Sequence, residues 1–188
     1  MKNFKLLSLV AVILLFGVVF LGYSSVSSLS NQGTISKETV FDFYNKVQFD
    51  QTKDQVDTEL GILPTESTQL KNAFNYNEED TGYGVSILLN ENGLVTSKTL
   101  IYPTSKDIAF LTTKAVTQEQ ADKITDGMSY NEVKSLLGSE GTEINGTQIP
   151  FEDNKVSYIR VWINDDESMI RVVFGTDGTE NNVMFYEK

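Results

Sequence analysis

The stretch TKDQVDTELG at 52–61 returns 77 positions later as SYNEVKSLLG at 129–138. Each copy opens on a hydroxyl residue, Thr52 or Ser129, with Gln55 or Glu132 three places on. That spacing lets hydroxyl and third-position side chain satisfy each other's orphan amides at a helix start. Val56 and Leu60, like Val133 and Leu137, fall four apart on one helical face. Gly61 and Gly138 then stand where a helix closes in the left-handed conformation. A chain that writes one helix twice is held to an architecture with two equivalent halves. A half of roughly 75 residues buries too little apolar surface to stand alone, so the halves must pack together.

The flanking segments extend the parallel. SKETVFDFYNKV (36–47) places Val40, Phe41, Tyr44 and Val47 at helical spacing, with Ser36 as N-cap. TQEQADKI (117–124) precedes the second copy in the same way, opened by a Thr117–Gln120 capping box. Strand patterns follow. YGVSILL (83–89) and LVTSKTLIY (94–102) flank the hairpin turn NENG, and SYIRVWI (157–163) and MIRVVFG (169–175) flank NDDES. These hairpins align at an offset of 74. NVMFYEK (182–188) closes a meander, with DIAFLTTK (107–114) as its expected counterpart. Short strands are expected at NAFNYNE (72–78) and TQIPFED (147–153), the second on an edge because Pro150 cannot donate to a ladder. The predicted fold class is α+β: two tandem repeats, 36–114 and 115–188, each a helix-loop-helix packed on a three- or four-stranded antiparallel sheet.

Lys2 and Lys5 precede an uncharged apolar run from Leu6 to Tyr23. Its length and flanking charge predict an anchor segment over 1–23 with the following domain outside the membrane, and residues 24–35 read as a flexible linker. The alternative is a secreted protein cleaved near Ser25-Val26-Ser27. The chain has no cysteine and no histidine, which excludes disulfides, lipid attachment through cysteine, thiolate metal sites and imidazole catalysis. The net charge of −11 becomes −13 without Lys2 and Lys5, a body that repels nucleic acid.

A helix-loop-helix carrying ITDGMSYNEVKSLLGSEG (124–141) ahead of an antiparallel sheet resembles the beta-lactamase inhibitory protein family. It is similar also to small envelope lipoprotein domains of the barrel-assembly machinery, and looks like anchored domains of Gram-positive bacteria. The resemblance implies tandem units whose helices cover one sheet face, while the other face and the hairpin loops bind a protein. The chain departs from it in having no disulfides and in carrying Asp50-Gln51 where the second copy has Gly127-Met128. No motif for the inhibitor's contact residues is present, so none is carried over.

Alternation along SYIRVWI separates Ser157, Ile159, Val161 and Ile163 from Tyr158, Arg160 and Trp162. The aliphatic set is expected to face the helices. The second set joins the sole tryptophan to Tyr and Arg, residue types enriched at binding hot spots, and is the candidate protein-binding face. The acidic turns Glu78-Glu79-Asp80 and Asp165-Asp166-Glu167 lack the spacing of a calcium loop and read as solvated charge. No S-x-x-K motif occurs. The functional expectation is a membrane-anchored, extracytoplasmic, non-catalytic protein-binding module of the cell envelope, without catalytic, cofactor or metal residues. The alternative is a small-ligand or cation-binding envelope sensor.

Overall fold

The computed structural model describes residues 36–188; the expected anchor at 1–23 and linker at 24–35 lie outside the described residues. Helix α1 (Lys37–Lys46) starts where the Ser36 hydroxyl accepts from the Thr39 amide, and it buries Val40, Phe41 and Tyr44. Helices α2 (Lys53–Leu60) and α4 (Tyr130–Leu137) carry complete capping boxes, Thr52 with Gln55 and Ser129 with Glu132. Both close in the left-handed region at Gly61 (φ 68°) and Gly138 (φ 72°). The short helix α3 (Gln118–Ala121) opens on the Thr117–Gln120 box.

The strands are β1 (Thr65–Glu66), β2 (Ala73–Asn77), β3 (Gly84–Leu89), β4 (Val95–Ile101), β5 (Thr142–Ile149), β6 (Lys155–Ile163), β7 (Met169–Phe174) and β8 (Glu180–Tyr186). They form one eight-stranded antiparallel meander in chain order. Strand β5 pairs with β4 only through Ser97–Thr147, Lys98–Gly146 and Thr99–Asn145. That junction makes one sheet of the N-terminal and C-terminal halves.

Three expectations at this level are corrected. Residues 107–111 of the 107–114 segment expected as a strand belong instead to a 3₁₀ helix, Ser105–Leu111. The Thr104 amide bonds the Asp107 carboxylate there, and Pro103 just before it offers no ladder donor. The 147–153 edge strand is instead the central strand β5, which begins at Thr142. Pro150 falls after the last pair, Ile149–Lys155, at the start of a 3₁₀ turn where its missing N–H costs nothing.

The third correction concerns the hairpins. The same turn bonds occur at 90–94, 164–168 and 175–179, at offsets of 74 and 85, so the bonds alone do not choose between the two alignments. In the middle turn Asn164 N–H donates to Ser168 O and Glu167 N–H to Asn164 O. Asn90 N–H donates to Leu94 O and Gly93 N–H to Asn90 O. Gly175 N–H likewise donates to Thr179 O, and Gly178 N–H to Gly175 O. Of the three, only 90–94 and 175–179 adjoin a register shift, at Leu88/Leu89 and at Val173/Phe174, and so match each other at an offset of 85. Hydrophobic alternation had matched β3–β4 with β6–β7, one strand out of step.

The loops between helices are fixed by these same strands. Asp50 N–H donates to Val95 O and Val95 N–H to Gln51 O; Gly127 N–H donates to Glu180 O and Glu180 N–H to Met128 O. The turn demands a positive φ in both places, 64° at Asp50 and 90° at Gly127. Asp50 therefore occupies a conformation that glycine adopts without strain.

The four α-helices of the described residues pack on one side of the sheet. Tyr76 donates to Asp57 of α2, Lys98 reaches the end of α1, and Trp162, Ile170 and Phe174 pack with Val116, Ala121, Ile124, Val133 and Leu137. The 3₁₀ segment joins β5 and β6 at the sheet's end, where Thr142 donates to Ile108 O and the Ile163 amide to the Thr112 hydroxyl.

Candidate functional site

Strand β6 shows the alternation expected, with its sides reversed. Trp162 has 0% exposure, and its indole N–H donates to Ser139 O at 2.9 Å beneath α3 and α4. Tyr158 stacks on Phe174 with ring centroids 5.1 Å apart. Arg160 is half-buried; it pairs with Glu143 at 3.2 Å and lays its guanidinium 4.4 Å from the Tyr130 ring centre. Tyr158, Arg160 and Trp162 thus look toward the helices, and a Trp162 without accessible surface touches no partner in this fold. Ser157, Ile159 and Val161 occupy the other side and are also buried. Period two separates two sets but does not say which is inner when both are apolar and buried. The gap between a sheet and its helices takes large side chains, and Trp162 fills it.

Arg160 belongs to a polar seam between the halves that the sequence did not disclose. Glu143 accepts from the Tyr44 hydroxyl at 3.0 Å and from Arg160, so α1, β5 and β6 meet at one carboxylate. Lys98 donates to the carbonyls of Tyr44 and Val47 at 2.9 Å each, closing the C-terminus of α1, and lies 4.3 Å from the Tyr44 ring centre. Burial, then the Glu143 charge, pushes the Tyr44 hydroxyl well above the usual phenol range. Burial lowers Lys98, with Glu143 acting against it. The groups answer one another and hold the halves together.

The helix-free side of the sheet differs in chemistry from the rest of the surface. Register places Asn75, Ser86, Thr99 and Asn145 side by side across β2 to β5. Beside them run Leu88, Ser97, Thr147 and Ser157. The hydroxyls and amide bond one another: Ser97 with Thr147 at 2.8 Å, Asn145 Nδ2 to Thr99 Oγ1 at 2.8 Å, and Thr147 Oγ1 to Asn145 Oδ1 at 3.2 Å. Asn145 is only 1% exposed, whereas Asn75, Ser86, Leu88 and Thr99 are half-exposed. In a protein of net charge −11, neither row carries a charged side chain.

The acidic turns have partners within the chain. Glu78 accepts from Thr81, Asp166 accepts from the amide and hydroxyl of Ser168, and Glu167 pairs with Lys188. Their carboxyls sit below the usual range where resolved: the Ser168 hydroxyl acts first on Asp166 and the Lys188 bond first on Glu167. Among the described residues no group of three or more acidic side chains is placed to hold a metal ion. An open groove of about 320 Å³ lies between α1 and β3, bordered by Glu38, Asp42, Glu78 and Tyr83.

A continuous sheet with α-helices on one side and uncharged, hydrogen-bonded polar rows on the other makes the described residues an α+β module. The family model for beta-lactamase inhibitors (BLIP) matches residues 41–160, more than half of the chain, and the protein belongs to that family. It is a family of inhibitors and not of enzymes. No curated protein resembles the chain closely enough to count as a relative.

Proposed function

We propose that this protein is a non-catalytic, inhibitor-like binding module of the cell envelope that engages a protein through the helix-free side of its sheet. The observation that carries the reading is the uncharged row of half-exposed Asn75, Ser86 and Thr99, held by buried Asn145, on the side of the sheet opposite the α-helices. Interface centres are depleted in charge, and hydroxyl and amide side chains held in place lose little freedom on docking. Residues 1–23 would tether the module to the membrane with the domain outside. Two tandem units, 36–114 and 115–188, account for the matching caps, clamps and turns.

The direct test measures binding of the purified chain to a panel of beta-lactamases by biolayer interferometry, with a Ser86→Arg/Thr99→Arg variant alongside. Two charges on a neutral face should cost about tenfold or more in affinity. Equal binding by the variant moves the contact elsewhere. Binding to none of the panel removes the lactamase target while leaving the sheet face to be tested on envelope proteins. N-terminal sequencing of membrane-extracted protein tests the anchor; a start after residue 23 overturns it.

A further inference from the structure

Glu180 turns both its N–H and its C=O toward the 127–128 loop, away from β7. The extra residue Asn181 at the bulge resets the alternation, so Val183 and Phe185 are the next to turn theirs outward. Sheet order ends at β8, and among the described residues no strand meets those groups. Strand β4 shows what such an edge accepts. Val95 is held by the 50–51 loop as Glu180 is by the 127–128 loop, and the next outward residue past the bulge, Lys98, pairs with Gly146 of β5. Val183 follows Glu180 at the same spacing, and among the described residues no strand pairs with Val183 or Phe185 on that side. Helix α1 packs on β4 as α3 packs on β8, and α1 leaves room for β5.

The edge also lacks the usual defences. Residues 181–186 contain no charge and no proline, the devices that keep exposed strands from pairing. The opposite edge is blunted: β1 has two residues, one of them Glu66.

We propose that β8 pairs with β8 of a second copy of this chain, antiparallel about a two-fold axis through Met184. In that register Val183 meets Phe185 on the helix side, Asn182 meets Tyr186, and Asn181 meets Glu187, so no like charges are opposed. The register centred on Val183 sets Tyr186 against Glu180, whose edge the 127–128 loop already occupies. A two-residue β1 is too short to complement β8, so association closes at two copies and does not run on as a filament.

The absence of cysteine makes the test clean, because full-length Met184→Cys carries a single thiol. Met184 would face its copy as a non-hydrogen-bonded antiparallel pair, flanked by bonded Val183–Phe185 pairs, with Cα atoms about 4.5 Å apart and within disulfide reach. Under mild oxidation Met184→Cys should form dimer about tenfold or more faster than Ser86→Cys on the sheet face, because pairing raises the local thiol concentration. Val183→Pro added to Met184→Cys removes an outward N–H and should return the rate to that of Ser86→Cys. Thermal melting of the reduced double variant checks its fold, and the comparison of positions 184 and 86 stands without it. Equal rates at 184 and 86 overturn the proposal. So does a monomer in sedimentation equilibrium of the detergent-solubilised chain, which would leave the edge open to an extended segment of another protein.

Discussion

Replacing Trp162 with alanine separates the core from the contact surface. The side chain is fully buried among Val133, Leu137, Ile170 and Phe174, and its N–H satisfies Ser139 O. Burying an indole removes about 150–250 Å² from water, and truncating a buried Trp to Ala costs about 3–5 kcal/mol. Losing the indole donor adds roughly 1 kcal/mol unless water reaches the carbonyl. Against a typical domain stability of about 5–15 kcal/mol, the variant keeps its fold with a thin margin. With a urea slope of about 2 kcal/mol/M, the unfolding midpoint should fall by about 1.5–3 M. The assay is far-UV circular dichroism, since the substitution removes the only tryptophan. A loss below about 1 kcal/mol, the range of ordinary surface substitutions, would refute the burial argument.

Gly127→Ala meets no atom within 4 Å at the new Cβ, so its cost comes from φ 90° alone, and chemical denaturation should show a loss of about 1–2 kcal/mol. Lys98→Met leaves the Tyr44 and Val47 carbonyls without their donor, and should cost about 1–3 kcal/mol in the same assay. Burial, with Asp126 adding, raises the Glu180 carboxyl above 4.5, so the native state binds that proton more tightly than the unfolded chain. Stability should then fall as pH rises through the interval above 4.5, and denaturation at a series of pH values should show Glu180→Gln lacking that decline. An unchanged pH slope in that variant would count against the assignment.

The helix caps were legible because each is a bond between residues three apart, written within one turn of chain. The sidedness of β6 was not, because burial on both faces leaves alternation without a sign. The polar row was invisible for another reason: Asn75, Ser86, Thr99 and Asn145 come from four strands and meet only through register. One correspondence was hidden by exchange. Lys53 of α2 lies 5.4 Å from the Phe74 ring centre, while at the matching place in α4 Tyr130 supplies the ring and Arg160 of β6 the cation. A cation–π contact survives with its partners swapped, so no alignment of residue types would find it.

The narrow β4–β5 junction has a consequence for the order in which the chain is made. Residues 145–147 are synthesised about 50 positions after the β4 residues they cover. Until they arrive, the nascent N-terminal half carries an open strand edge at Ser97–Thr99. Domains form from the N-terminus as synthesis proceeds, and unpaired edges are where partly made chains stick to one another. Strand β5 therefore acts in time as well as in space: its delivery ends the interval in which the growing protein can be captured by a neighbouring copy.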